Sequence, residues 1–120
     1  MTIYLYQQTA AETFRLSERA LLKIGFTVHQ ANDKTGFLSG RKQLNSNGHI
    51  LFLDVKISRQ PHTTGVTIVS NIFAGNTGTF IADSVSEELF LETFHDLLRI
   101  QPPDNPFRLS NNDYAMAVGF

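Results

Sequence analysis

The sequence predicts an α+β domain in two layers, an antiparallel sheet of about five strands with two helices on one face, in the order β-α-β-β-β-β-α. Three observations predict it. Two segments carry apolar residues at helical spacing behind a Thr-x-x-Glu or Ser-x-x-Glu start. Between them lie short runs of alternating or β-branched apolar residues, separated by Gly- and Asn-rich turns. Adjacent strands joined by tight turns pair antiparallel, and two amphipathic helices then cover one face.

The first strand is 3–6, short and aromatic. Thr9 with Glu12 forms a capping box that opens a helix over 10–24. Ala10, Phe14, Ser17, Leu21 and Ile24 fall on its core side with Leu16 and Leu22 flanking, and Glu12, Arg15, Arg19 and Lys23 fall on the wet side. Gly25 is its C-terminal stop. Strands follow at 26–30 and, after the turn Asn32-Asp33-Lys34-Thr35-Gly36, at 37–44. Asn47-Gly48 is the strongest hairpin signal and leads into a strand at 49–59, where Leu51, Leu53, Val55 and Ile57 share one face.

A two-residue turn at Asn47-Gly48 would pair Leu44 with Leu51, Lys42 with Leu53, Gly40 with Val55 and Leu38 with Ile57. The opposite face would then set Arg41 beside Asp54 and Ser39 beside Lys56, and Lys42 would have to snorkel at an edge. Residues 60–65 read as a loop and 66–73 as the last strand. Gly75-Asn76-Thr77-Gly78 reads as a strand-to-helix connection. Ser84 with Glu87 is a second capping box, opening a helix to about residue 100. Its core stripe is Phe90, Leu91, Phe94, Leu97 and Leu98, and Glu88, Glu92, His95 and Arg99 form its wet face. Pro102, Pro103 and Pro106 stop it. Residues 1–106 thus read as one domain. In the tail, 107–120, Tyr114, Met116, Val118 and Phe120 keep a two-residue period, which predicts a strand that docks on the sheet edge or on a partner chain.

Composition bounds the chemistry. The chain has 120 residues, 42% hydrophobic and 18% charged, with ten Phe, three Tyr and no Trp. That is enough to bury a core without disulfides or metal. A net charge of −1 supplies no global field for nucleic acid. With no Cys, disulfides, thiolate metal sites and Cys nucleophiles are excluded. The first residues lack a basic start followed by an apolar run, so a secretory signal is not expected there, nor is a membrane span.

The stretch from Ala20-Leu21-Leu22-Lys23-Ile24-Gly25-Phe26-Thr27-Val28 to Asp33-Lys34-Thr35-Gly36-Phe37-Leu38-Ser39-Gly40 resembles a pattern of small bacterial envelope domains. There a helix ends in Leu-x-x-x-Gly-Phe/Tyr-x-Val, and an Asp-x-x-Thr-Gly turn leads into the next strand. The helix-grip domains of the barrel-assembly-machinery lipoprotein C type look like this, as do several lipoprotein families. The resemblance covers about a fifth of the chain. It implies a helix-grip-like fold and a scaffolding or binding role. The chain departs from it in lacking a lipid-anchor Cys.

Candidate sites are few. The Gly75–Gly78 loop lacks the Lys-Ser/Thr of a phosphate loop. Glu92-x-x-His95 would need a matching partner helix to hold a metal, and the first helix has no His. His29, His49 and His62 have no ligand-like spacing, and no Gly-x-Ser-x-Gly turn exists. Charge is more informative: Lys34, Arg41, Lys42, Lys56 and Arg59 load the central hairpin, while Asp83, Glu87, Glu88, Glu92 and Asp96 load the second helix. Opposite patches suit self-association, and two solvated faces of differing sign are the plain reading.

The expected function is therefore a non-catalytic binding or assembly module with a protein partner or a second copy, with no cofactor and no metal. Its interaction surface would comprise Arg41, Lys42, Lys56 and Arg59, with Tyr114, Met116, Val118 and Phe120 of the tail. One alternative is a small-ligand carrier or small enzyme with a pocket between helix and sheet. Another is a weak nucleic-acid binder through the basic hairpin. A cytoplasmic location, or an envelope location after removal of a targeting segment, fits either way.

Overall fold

Alternation along the longest apolar run decides which residues face the helices. The computed structural model of the chain describes residues 2–44 and 48–99. Its elements are β1 (Ile3–Tyr6), α1 (Ala10–Lys23), β2 (Thr27–Asn32), β3 (Phe37–Gln43), β4 (Ile50–Gln60), β5 (Thr63–Ala74), β6 (Thr79–Ala82) and α2 (Ser84–Arg99). In β4, Leu51, Leu53, Val55 and Ile57 are all buried, and their two-residue period puts them on one side of the sheet. Leu38 of β3 and Val66 and Ile68 of β5 join them, and both helices pack on that side. The expected α+β architecture stands: an antiparallel sheet with two helices on one face.

Among the described residues the sheet has six strands, ordered β1-β5-β4-β3-β2, with β6 also on β5. β1 lies along Thr64–Thr67 of β5 and β6 along Asn71–Ala74, so the two share one edge of β5 end to end. The additional strand is β6. Residues 75–78 are a hairpin turn between β5 and β6, closed by Gly78 N–H donating to Ala74 O at 2.8 Å, where a strand-to-helix connection was expected. Phe80-Ile81-Ala82 is too short to show alternation, so only its pairing with β5 makes it a strand. β5 also begins earlier than expected, at Thr63. Pro61 and His62 alone turn the chain from β4, with His62 at φ 66°, the sign that the second central position of a type II turn requires.

The β3–β4 register differs from the one counted from Asn47-Gly48. Lys42 pairs with Leu51, Gly40 with Leu53 and Leu38 with Val55. Leu44 N–H donates to His49 O, so the connection spans residues 45–48, of which 45–47 lie outside the described residues. The slip is two residues. Because the side-chain period is also two, every face assignment survives while every cross-strand neighbour changes. Arg41 faces Phe52, Ser39 faces Asp54, and Phe37 faces Lys56.

The helices follow their local signals with two corrections. Glu12 N–H donates to Thr9 Oγ1 at 3.2 Å, as the first capping box requires. At the other end Phe26 N–H reaches Leu21 O and Gly25 N–H reaches Leu22 O, a Schellman motif that uses Gly25 at φ 94°. The buried stripe of α1 is Thr13, Leu16, Ser17, Ala20 and Leu21, so it is rotated from the expected one: Leu16 is central, Phe14 is partly buried and Leu22 is exposed. In α2 the cap is Asp83, whose Oδ1 accepts from Ser86 N–H at 3.1 Å, and not Ser84. Asp83 is held there by its own N–H, which donates to Ser70 O of β5. Phe90, Phe94, Leu97 and Leu98 are buried as the stripe predicts. The tail, 107–120, lies outside the described residues.

Candidate functional site

Both helices cover one face of the sheet, so the other face is where a sheet of this kind meets its surroundings. The registers lay out its rows. Gln43, Ile50, Phe73 and Phe80 form one row across β3, β4, β5 and β6, and Thr27, Arg41, Phe52, Asn71 and Ala82 form the next. The Phe73 and Phe80 rings stand 5.1 Å apart, and Phe52 and Phe80 5.8 Å apart, both tilted at 57°. Arg41 lays its guanidinium 5.2 Å from the Phe52 ring centroid, within reach of a cation–π contact. Phe80 is 63% exposed, so the cluster is open to solvent. Val69, Ile3 and Leu5 extend the exposed apolar surface along β5 and β1.

Beyond this cluster the face turns polar. Ser39 Oγ donates to Asp54 Oδ1 at 2.6 Å. Lys56 Nζ donates to Thr35 O. The arrangement is three aromatic rings and an arginine at one end of an open face, with a hydrogen-bonded polar patch beside it.

The basic residues named from the sequence do not gather into one surface. Arg41 and Lys56 lie on the open face. Lys42 has the opposite parity; its Nζ donates to Ile24 O at 3.1 Å, so its charge serves the C-terminus of α1. Arg59 lies near the end of β4 on the helix side. It borders a groove of about 520 Å³ with Ala10, Phe14, Lys34, Gly36 and Ile57. This groove opens between α1, the β2–β3 turn and β4; the helix–sheet interface behind it is filled by residues such as Leu16, Leu53, Val55 and Phe90, all fully buried. Tyr114, Met116, Val118 and Phe120 lie outside the described residues.

The histidines are dispersed. His49 Nδ1 accepts from Gly75 N–H at 3.3 Å, tying the β3–β4 and β5–β6 turns together. His95, expected on the wet face of α2, is half-buried and lies 2.8 Å from the Tyr6 hydroxyl through its Nε2. Burial pushes the Tyr6 hydroxyl far up from its usual range, with a smaller push from Tyr4. Burial lowers His95, Arg99 lowers it further, and Asp96 opposes. A protonated phenol thus meets an imidazole held toward its neutral form, and the two share one hydrogen bond. Among the described residues no three His, Asp or Glu side chains come together as metal ligands, and no helix is long and apolar enough to cross a membrane.

Phe52, Phe73 and Phe80 were not among the residues named from the sequence. One signal was present: Ile50-Leu51-Phe52-Leu53 is apolar on both faces of a strand whose second face needs no cover. Comparison with protein-family models finds no match, and comparison with curated proteins likewise finds none.

Proposed function

We propose that this chain is a non-catalytic binding module that engages a protein partner through the open face of its sheet. The observation that supports the reading is the exposed Phe80 in ring contact with Phe52 and Phe73, with Arg41 over Phe52. Aromatic residues and arginine dominate interface hot spots, because they bring large rigid area and a versatile donor group. The resemblance of the α1–β3 stretch to envelope scaffolding domains points the same way. The test is affinity capture with the full chain, quantified for wild type, Phe80→Ser, Arg41→Ala and the control Leu22→Ser, an exposed apolar side chain on α1. A hot-spot ring contributes about 2 kcal/mol or more, so Phe80→Ser should weaken a partner roughly 30-fold. Partners that survive Phe80→Ser and Arg41→Ala unchanged, or that are lost equally in Leu22→Ser, overturn the reading.

A second reading draws on the Arg41–Phe52 stack. Rings and an arginine on a sheet face can also carry the bases of single-stranded nucleic acid. Titration of a labelled oligothymidylate separates the two. Binding that weakens steeply with salt and loses about 1–3 kcal/mol on Phe52→Ala would favour nucleic acid.

A further inference from the structure

We infer that the C-terminal segment 107–120 of the same chain adds to the sheet as an edge strand along β1 and β6, with Tyr114–Phe120 as its far end. Three independent features of the described residues converge on this edge. The first is backbone. β1 and β6 each pair with β5 alone, so the outer N–H and C=O groups of both have no strand beside them. Open edges of this kind are normally blunted by charge or Pro. Here the edge reads Ile3-Tyr4-Leu5-Tyr6 and Thr79-Phe80-Ile81-Ala82, without either.

The second feature is apolar surface on both sides of that edge. All four residues of β6 are exposed although two are Phe80 and Ile81, whose side chains point to opposite faces. Ile3 and Leu5 of β1 are exposed beside them. A strand left wet on both faces is short of a neighbour.

The third is direction and reach. His95 of α2 meets Tyr6, the last residue of β1, so α2 ends about one turn later at that end of the edge. β1 and β6 both run antiparallel to β5. A segment returning from that end toward Thr79 would run parallel to β5, and so antiparallel to β1 and β6 alike. The 14 residues of 107–120 span roughly 46 Å when extended, and the 11-residue stretch Thr64–Ala74 opposite the two strands spans roughly 36 Å. The segment's composition matches: Tyr114, Met116, Val118 and Phe120 alternate with Ala115, Ala117 and Gly119. One face is large and apolar, and the other is small enough to lie beside crowded neighbours. The edge shares Phe80 with the aromatic cluster, but the inference rests on backbone pairing along β1 and β6 and does not depend on the partner proposed for that cluster.

The test uses the full chain. Amide hydrogen exchange is compared between wild type and Met116→Asp/Val118→Asp, with sedimentation velocity at low and high protein concentration. The expected result is wild-type protection of β1 and β6 amides that falls at least tenfold in the variant, at monomer mass throughout. Exchange in β3, inside the sheet, should be unchanged, which separates loss of the edge strand from unfolding. Equal exchange of β1 and β6 in both proteins overturns the inference. Protection that grows with concentration alongside dimer mass overturns it too, because the strand would then come from a second copy.

Discussion

Truncating Phe94 to Ala tests the central claim about how the two layers are joined. The ring is fully buried on α2, set edge-on to Tyr6 of β1 at 4.9 Å and stacked on Phe90 at 6.0 Å. Removing a buried Phe ring costs about 3–5 kcal/mol in lost transfer energy and residual cavity. Two features place this site in the upper half of that range. Both neighbours are aromatic, and edge-on or stacked pairs contribute about 0.5–1.5 kcal/mol beyond burial. Tyr6 is also held through its hydroxyl by His95, so its ring is not free to collapse into the hole. A loss of about 4 kcal/mol would remove a large part of the stability of a domain this size. With a urea slope of about 2 kcal/mol/M, the midpoint should fall by about 2 M. Urea unfolding followed by far-ultraviolet circular dichroism measures it. A loss below about 1 kcal/mol at unchanged slope would refute the reasoning. Val85→Ala on the same helix is the matched control: its side chain is mostly in solvent and should change stability by no more than about 0.5 kcal/mol.

Three further outcomes are expected. His95 is held below the ordinary imidazole value, so the unfolded chain binds more protons between the folded and unfolded values. The stability due to neutral His95 is complete above about pH 6.5 and is lost as pH falls from there through the folded value. Urea midpoints should therefore drop from pH 7.5 to 5.5, and drop less in His95→Gln; equal drops would assign the acid loss to other groups. Asp83→Ala should cost about 1 kcal/mol of thermal or urea stability and Ser84→Ala only a few tenths, because the cap is Asp83; the reverse order would restore the Ser84 box. Gly36→Ala should be severely destabilising, since at φ 74° its Cβ would lie 2.1 Å from Ile57 O, whereas Gly78→Ala at φ 70° meets nothing within 4 Å and should cost only about 1–2 kcal/mol in denaturant unfolding. Similar losses at both would show that the β2–β3 turn can move away from β4.

What the sequence determined by itself is what local pattern encodes. Period two along Leu51-Leu53-Val55-Ile57 named the core face of β4, and it held through a register slip because the slip was also two. The apolar stripe of α2 and the Thr9 and Gly25 ends of α1 were legible because caps and stripes are written within one or two turns. Parity alone also places Arg41 and Lys42 on opposite faces, a point the grouping of basic residues overlooked. Tertiary structure decided everything set by partners far along the chain. Phe80 became part of a sheet only when β5 ran on to Ala74 and turned back, which brought its ring to Phe52 and Phe73. Asp83 displaced Ser84 as cap because β5 offered Ser70 O to its N–H. His95 left the wet face because Tyr6, 89 residues away, stood under it. Propensity and periodicity act over a few residues, while pairing energy is gained between strands and helices whose sequence separation carries no local mark. The open aromatic face is therefore a property of the assembled sheet and of no single segment in it.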